Sequence, residues 1–212
     1  MKVTKYEQSC LLIEHDGTRI LIDPGFPFTD KHKITELGKL DAVFLTHEHP
    51  DHFDQKACEK LMATDQAHKI HVNESTDKLL DTPHKIVVKD KDTIKVGKFE
   101  VKVIELPHCL MPDGSEGPQN VGYLVNDIFF HPGDGIDLSG LSVKYLALPI
   151  TGPDVSPKDA FAFAKQVSAE KALAIHYDTW GAFPDYYQDR ANATGQPFEL
   201  VILEPGQSIE IE

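Results

Sequence analysis

The chain has 212 residues with 34 acidic and 21 basic side chains, a net charge of −13, and 41% hydrophobic residues. Such a length and composition suit one domain spanning 1–212 with a sizeable core, and exclude a disordered chain. Arg19 and Arg190 are the only arginines, so the Arg-rich stripe of a nucleic-acid groove is missing and neither DNA nor RNA is an expected partner.

In chain order, residues 2–6 and 10–14 read as short strands of a β-meander. His15-Asp16-Gly17 supplies turn chemistry, and 18–22 returns as a strand. That strand stops at the breaker Asp23-Pro24-Gly25. Residues 41–45 form a compact apolar strand that runs into Thr46-His47-Glu48-His49-Pro50-Asp51-His52. Asp54 is placed to cap a helix reaching Ala63. Strands are expected at 69–73, 85–88, 93–96 and 99–106, with a short helix at 75–80. Residues 107–119, PHCLMPDGSEGPQ, are too rich in Pro and Gly for regular structure and read as a functional loop. A hairpin is expected from 121–125 and 128–130, then a strand at 144–148. Ser156-Pro157-Lys158-Asp159 opens a helix to about Val167. A strand at 171–175 and a helix at 185–193 follow. Residues 199–203 and 207–212 read as a closing hairpin around Pro205-Gly206. Strand-rich halves with helices suggest two sheets face to face, helices outside.

The longest apolar stretch near the start, 10–13, is too short for a signal-peptide core of ~7–15 residues, and no segment approaches the ~18 apolar residues of a membrane span. Cys10, Cys58 and Cys109 are odd in number and show no paired spacing. These features predict a cytoplasmic protein with reduced thiols and no membrane contact.

The unusual count is eleven histidines. Four donors stand in His47-x-His49-x-Asp51-His52, just after a strand. In extended chain, residues two apart face the same side, so His47 and His49 can converge on one ion and the following turn can offer Asp51 and His52 to a second. His108, Asp134 and His176 each lie just beyond a strand and can face the same rim. This gives His47, His49 and His108 for a first ion, Asp51, His52 and His176 for a second, and Asp134 with two oxygens to bridge both. His131 either orients Asp134 or is a core histidine bonded to backbone. Cys109 is a poorer donor, because it should point away from its neighbour His108. His15, His32, His68, His71 and His84 have no partner spacing and read as surface or packing residues.

THEHPDH, then His108, HPGDG and IHYDTW, resembles the metallo-β-lactamase superfamily of hydrolases, and within it the small L-ascorbate-6-phosphate lactonase-like subgroup. The resemblance implies an α/β (α+β) fold, a four-layer αββα sandwich with metals at one edge of the two sheets. It implies the same seven ligands, and Asp23 as an acid that supports the metal shell. Gln8, where many relatives have histidine, and Gly135, where threonine often follows the aspartate, depart from the pattern.

The expected function is hydrolysis of a small-molecule ester, lactone or phosphoester by a hydroxide held by two divalent ions. Zn²⁺ comes first, with Mn²⁺, Fe or Ni²⁺ also suited to imidazole and carboxylate. Asp134 would fix the metal spacing and Asp51 would accept the water's proton, which makes these two the catalytic candidates. Alternatives are a mononuclear iron persulfide dioxygenase on the same fold and a non-catalytic metal-binding protein. Residues 107–119 and 177–185 should shape the pocket, with Tyr123, Tyr177, Asp178 and Trp180 as candidate linings. Oligomeric state is not readable.

Overall fold

Both faces of the first strands are apolar, which requires the sheet they form to be covered on both sides. The computed structural model describes residues 1–64, 66–67, 69–152, 155–179 and 183–212. Here β1 (Lys2–Lys5), β2 (Leu11–His15) and β3 (Thr18–Ile22) form the expected antiparallel meander. Alternation sends Leu11, Ile13, Ile20 and Ile22 to one face and Leu12 and Leu21 to the other. The short helix α1 (Phe26–Thr29) follows, then β4 (Ala42–Phe44), α2 (Gln55–Ala63), β5 (Ile70–Val72), α3 (Glu74–Asp77) and β6 (Lys85–Val87). β3 to β6 pair in parallel. Asp54 caps α2 by accepting from Ala57 N at 3.1 Å.

The second sheet repeats this plan. β7 (Thr93–Val96), β8 (Phe99–Glu105), β9 (Val121–Val125) and β10 (Phe129–His131) are antiparallel neighbours. β11 (Tyr145–Pro149), the helix α4 (Pro157–Gln166), β12 (Lys171–Ile175), the helix α5 (Pro184–Thr194) and β13 (Glu199–Val201) complete it, with parallel pairing from β10 to β13. α4 starts with the capping box that Ser156 and Asp159 predict. The last strand, β14 (Ser208–Glu210), joins β1.

Each sheet has seven strands, in the orders β14-β1-β2-β3-β4-β5-β6 and β13-β12-β11-β10-β9-β8-β7. The sheets face each other across a core in which Phe44 meets Tyr123 with ring centroids 5.0 Å apart. Phe28, Cys58 and Leu61 cover the outer face of the first sheet, and Phe161, Phe163 and Tyr187 that of the second. The result is the expected four-layer αββα sandwich. Burying one such aliphatic or aromatic side chain contributes about 1.5–3 kcal/mol, so three apolar layers dominate the stability. Among the described residues no helix is long and apolar enough to cross a membrane.

Two expectations need correction. Residues 199–203 and 207–212 are not a hairpin: β13 extends the second sheet in parallel with β12, whereas β14 pairs antiparallel with β1 of the first. Pro205-Gly206 carries the chain between the sheets, with Gly206 N bonded to Lys5 O at 2.7 Å. Leu200 packs into the outer layer beneath α4 and α5 and Ile211 into the central core, so the two segments serve different layers. The chain after Asp23-Pro24-Gly25 also folds into α1 and a 3-10 turn at Ile34–Leu37, where regular structure was not expected. Burial of Phe28 and Ile34 supplies the reason, since neither segment has a helical period.

Gly25 is fixed by close approach, because a Cβ there would lie 2.1 Å from the carbonyl carbon and oxygen of Asp51. Gly25→Ala should therefore lower stability by about 1–3 kcal/mol in urea unfolding. An unchanged midpoint would show that the two segments do not meet this tightly.

Candidate metal centre

The donors come from strand ends on one rim of the sandwich. β3 ends at Asp23, β4 leads into the segment from Thr46 to His52, β10 into Asp134 and β12 into His176. His108, beyond β8, pairs through an isolated bridge with Gly135. Asp23 and His176 have φ of 50° and 65°, left-handed values that a non-glycine residue holds only where surrounding bonds impose them. Asp23 receives Thr46 N at 2.8 Å and Thr46 Oγ1 at 2.7 Å. His176 N donates to Gln8 O at 3.0 Å.

All seven donors predicted from the sequence converge. His47, His49, His108 and Asp134 form one group and Asp51, His52 and His176 another, the donor atoms within each lying within 4.8 Å of one another. The Asp134 carboxylate joins the groups. Its Oδ1 lies 3.1 Å from His52 Nε2, and its Oδ2 lies 3.2 Å from His176 Nε2, 3.5 Å from His108 Nε2 and 3.9 Å from His47 Nε2. His176 Nε2 is also 3.1 Å from Asp51 Oδ2.

The ring tautomers follow from the partners. His52 Nδ1 faces Asp23 Oδ2 at 2.7 Å, His108 Nδ1 faces Cys109 O at 2.6 Å, and His176 Nδ1 faces Thr151 O at 2.8 Å. Each partner only accepts, so each Nδ1 carries a proton and, in the neutral ring, each Nε2 is bare. Thr46 gives its hydroxyl proton to Asp23, so it accepts from His47 Nδ1 at 3.0 Å and leaves His47 Nε2 as an acceptor, 3.1 Å from His49 Nδ1. The Nε2 atoms of His52, His108 and His176 and Oδ1 of Asp134 are buried and face one another across the Asp134 carboxylate. Imidazole nitrogens and a carboxylate buried together around one space form a donor set that a cation would satisfy in common.

The electrostatics agree. Burial pulls His47 well below the ordinary imidazole value, with neighbouring His52 adding to it. Burial would also lower His176, but the Asp134 carboxylate and its contacts carry it to about 9. His52 is raised well above its usual value by Asp134 and Asp23 against the same desolvation. Burial would raise Asp134, yet His176 and His52 hold it well below the carboxylate range. The metal-free site is a proton-sharing cluster, and those protons are what an ion would displace.

The other candidates divide. His131 is bonded to backbone at both nitrogens, with Nε2 donating to Ser9 O at 2.9 Å and Nδ1 accepting from Gly133 N at 3.2 Å. It thus pins the turn that carries Asp134 through the backbone rather than through the carboxylate. Cys109 lies outside both donor groups and acts through its backbone, as acceptor for His108 and donor to Asp134 O at 2.9 Å. Tyr123 does not line the site: it is buried between the sheets, and its hydroxyl donates to Leu45 O at 2.7 Å. Tyr177 is likewise buried, beneath Lys5. His71 stacks on Phe44 and His15 packs on Phe99. His68 and Trp180 lie outside the described residues. Sequence reading missed the Thr46 hydroxyl and the carbonyls of Cys109 and Thr151. A hydroxyl beside the motif could have been suspected, but a carbonyl has no residue signature.

Two clefts of about 650 and 890 Å³ open on either side of Pro107, His108 and Leu110. One reaches Asp137 and Asp159, the other Asp90, Glu105 and Glu116, and among the described residues neither is lined by Lys or Arg.

Comparison with known proteins matches residues 2–176 to the β-lactamase superfamily domain. The Mycobacterium tuberculosis protein Rv0786c is 29% identical over 181 residues, which is 83% of this chain and 84% of that protein. A metal-dependent hydrolase of Methanopyrus kandleri is 27% identical, covering 99% of this chain and 100% of its own. The metallo-β-lactamase fold protein YhfI of Bacillus subtilis superposes with a TM-score of 0.77 at 18% identity, over 99% of this chain and 98% of its own. These matches are to the superfamily and are coarser than the lactonase-like subgroup.

The pH response of metal-free protein tests the cluster. His176 sits at about 9 against 6.5 in its ordinary state, so the folded form keeps a proton that the unfolded form has lost. Its contribution to stability is complete below pH 6.5 and vanishes as pH rises through 9. Calorimetry in chelator should show a falling melting temperature over that window, and a flatter one for His176→Gln. Identical slopes would contradict the assignment.

Proposed function

The chain belongs to the β-lactamase superfamily, and from that membership we propose that it is a metal-dependent hydrolase acting on a small ester or lactone through two divalent ions. The observation that carries the reading is the set of buried imidazoles, His52, His108 and His176, each tied through Nδ1 and aiming Nε2 at the Asp134 carboxylate. His47, His49 and His108 would hold one ion, Asp51, His52 and His176 the other, and Asp134 would contact both. Imidazole and carboxylate donors suit Zn²⁺ first, with Mn²⁺, Fe and Ni²⁺ as further candidates. Such ions supply positive charge that acidifies a water and polarises the substrate's oxygen.

The chain's own groups do the rest. Asp23 and Thr46 lock the rings of His52 and His47, so their bare nitrogens stay aimed without reorganisation. Asp134, held ionised by His176 and His52, sets the distance between the two donor groups. Asp51 is the candidate acceptor for the proton of an attacking water. Substrate would lie along the clefts beside His108, where, among the described residues, carboxylates and no Lys or Arg line the walls. That lining favours a neutral ester or lactone over a phosphoester, whose charge it would repel. The completeness of the second donor group favours hydrolysis over a one-iron dioxygenase or a binding-only protein.

A panel of lactones, carboxylic esters and phosphodiesters, assayed with chelator-stripped and Zn²⁺-restored protein, tests this. Restored protein should cleave lactones or esters, and Asp134→Ala should lose at least ~100-fold of that activity together with bound metal. One iron per chain with oxygen consumption and no hydrolysis would contradict the reading.

A further inference from the structure

Behind Asp51 and His176 lies a buried polar network that the seven donors do not include. Gln8 is fully buried, with a left-handed φ of 58°. All of its polar groups are used. Its N donates to Asp178 Oδ2 at 2.7 Å and its O accepts from His176 N at 3.0 Å. Its Oε1 accepts from Thr179 N at 3.1 Å and its Nε2 donates to Asp51 Oδ2 at 3.3 Å. One side chain thus links the turn after β4 to the segment after β12. Asp178 is anchored in turn: the same Oδ2 accepts from Lys5 Nζ at 2.7 Å. Lys5 is itself fully buried, donates to Tyr6 O at 2.8 Å and lies 4.3 Å above the Tyr177 ring.

A lysine in a half-polar strand is normally solvated, and burying one demands a full set of partners. Here two of its three partners, Asp178 and the Tyr177 ring, belong to the segment that starts at His176. Among the described residues, the hydrogen bonds of Gln8, Lys5 and Asp178 reach Asp51 and His176 but none of His47, His49, His108 or Asp134. The bracing is confined to one of the two donor groups.

We propose that Gln8, braced by the Lys5–Asp178 pair, is a positioning residue that holds Asp51 and His176 at one separation and so sets the affinity of the second ion position without affecting the first. The inference rests on the two-ion reading above. Gln8 makes no claim on substrate: it acts through the ligand carboxylate and the backbone of the ligand histidine. An uncharged amide suits this role, because it donates to Asp51 without adding charge that would compete with a cation.

The test is competitive titration of chelator-stripped protein with Zn²⁺ against a chromophoric chelator, for wild type and Gln8→Met, with melting of the metal-free forms alongside. Wild type should take up two ions. Gln8→Met, which keeps the volume and loses the amide, should bind the first with unchanged affinity and the second about 10–100-fold more weakly. Should that variant not fold, Asp178→Asn is read in the same way, since it keeps the shape and removes the charge that holds Lys5. Two ions in wild type, with both affinities unchanged or both weakened alike in the variant, would overturn the inference alone. Fewer than two ions in wild type would overturn the two-ion reading and this inference with it.

Discussion

The structure turns on a set of imidazoles that are held by a proton on one side and aimed at one shared carboxylate on the other. Asp23, the Cys109 carbonyl and the Thr151 carbonyl each take the Nδ1 proton of a buried histidine. Each corresponding Nε2 then faces a space shared with Asp134. Burying so many polar groups together costs free energy, and an ion set among them would recover part of it. The apolar layers supply the stability that tolerates the cost.

The fold makes the convergence possible by bringing strand ends of two sheets to one rim. The sheets have the same pairing plan, antiparallel through the first strands and parallel through the later ones. β3 and β4 of one sheet and β10 and β12 of the other therefore end beside each other, and the donors ride on the irregular segments that follow. Where these segments take left-handed backbone at Gln8, Asp23 and His176, hydrogen bonds from across the rim hold them. Rigidity comes from the strands, and the aim of each donor comes from the bonds at its foot.

Much of this was readable in the residues. Alternation located the strands, and the cap at Asp54 and the box at Ser156 located two helices, because those signals are local. The spacing from His47 to His52, with a candidate donor after each later strand, pointed to one rim for all seven, and there they gather in two groups. What escaped was decided at a distance. A carbonyl acceptor such as Thr151 looks the same whatever the side chain. The separation of β13 from β14 depends on which sheet edge each meets, which Pro205-Gly206 does not encode. Lys5 carries no local signal of burial, and only the pairing of β1 with its neighbours and the position of Asp178 bury it. Gln8 was visible only as a departure from the family pattern, with nothing local to show that it spans two ligand-bearing segments.

The central claim is physical: the bare nitrogens and the Asp134 carboxylate surround places for cations. Anomalous diffraction at the zinc edge, from crystals grown with Zn²⁺, tests it most directly. The account predicts two peaks flanking Asp134, one among His47, His49 and His108 and one among Asp51, His52 and His176. A featureless map there, with the imidazoles turned to bond one another, would contradict it.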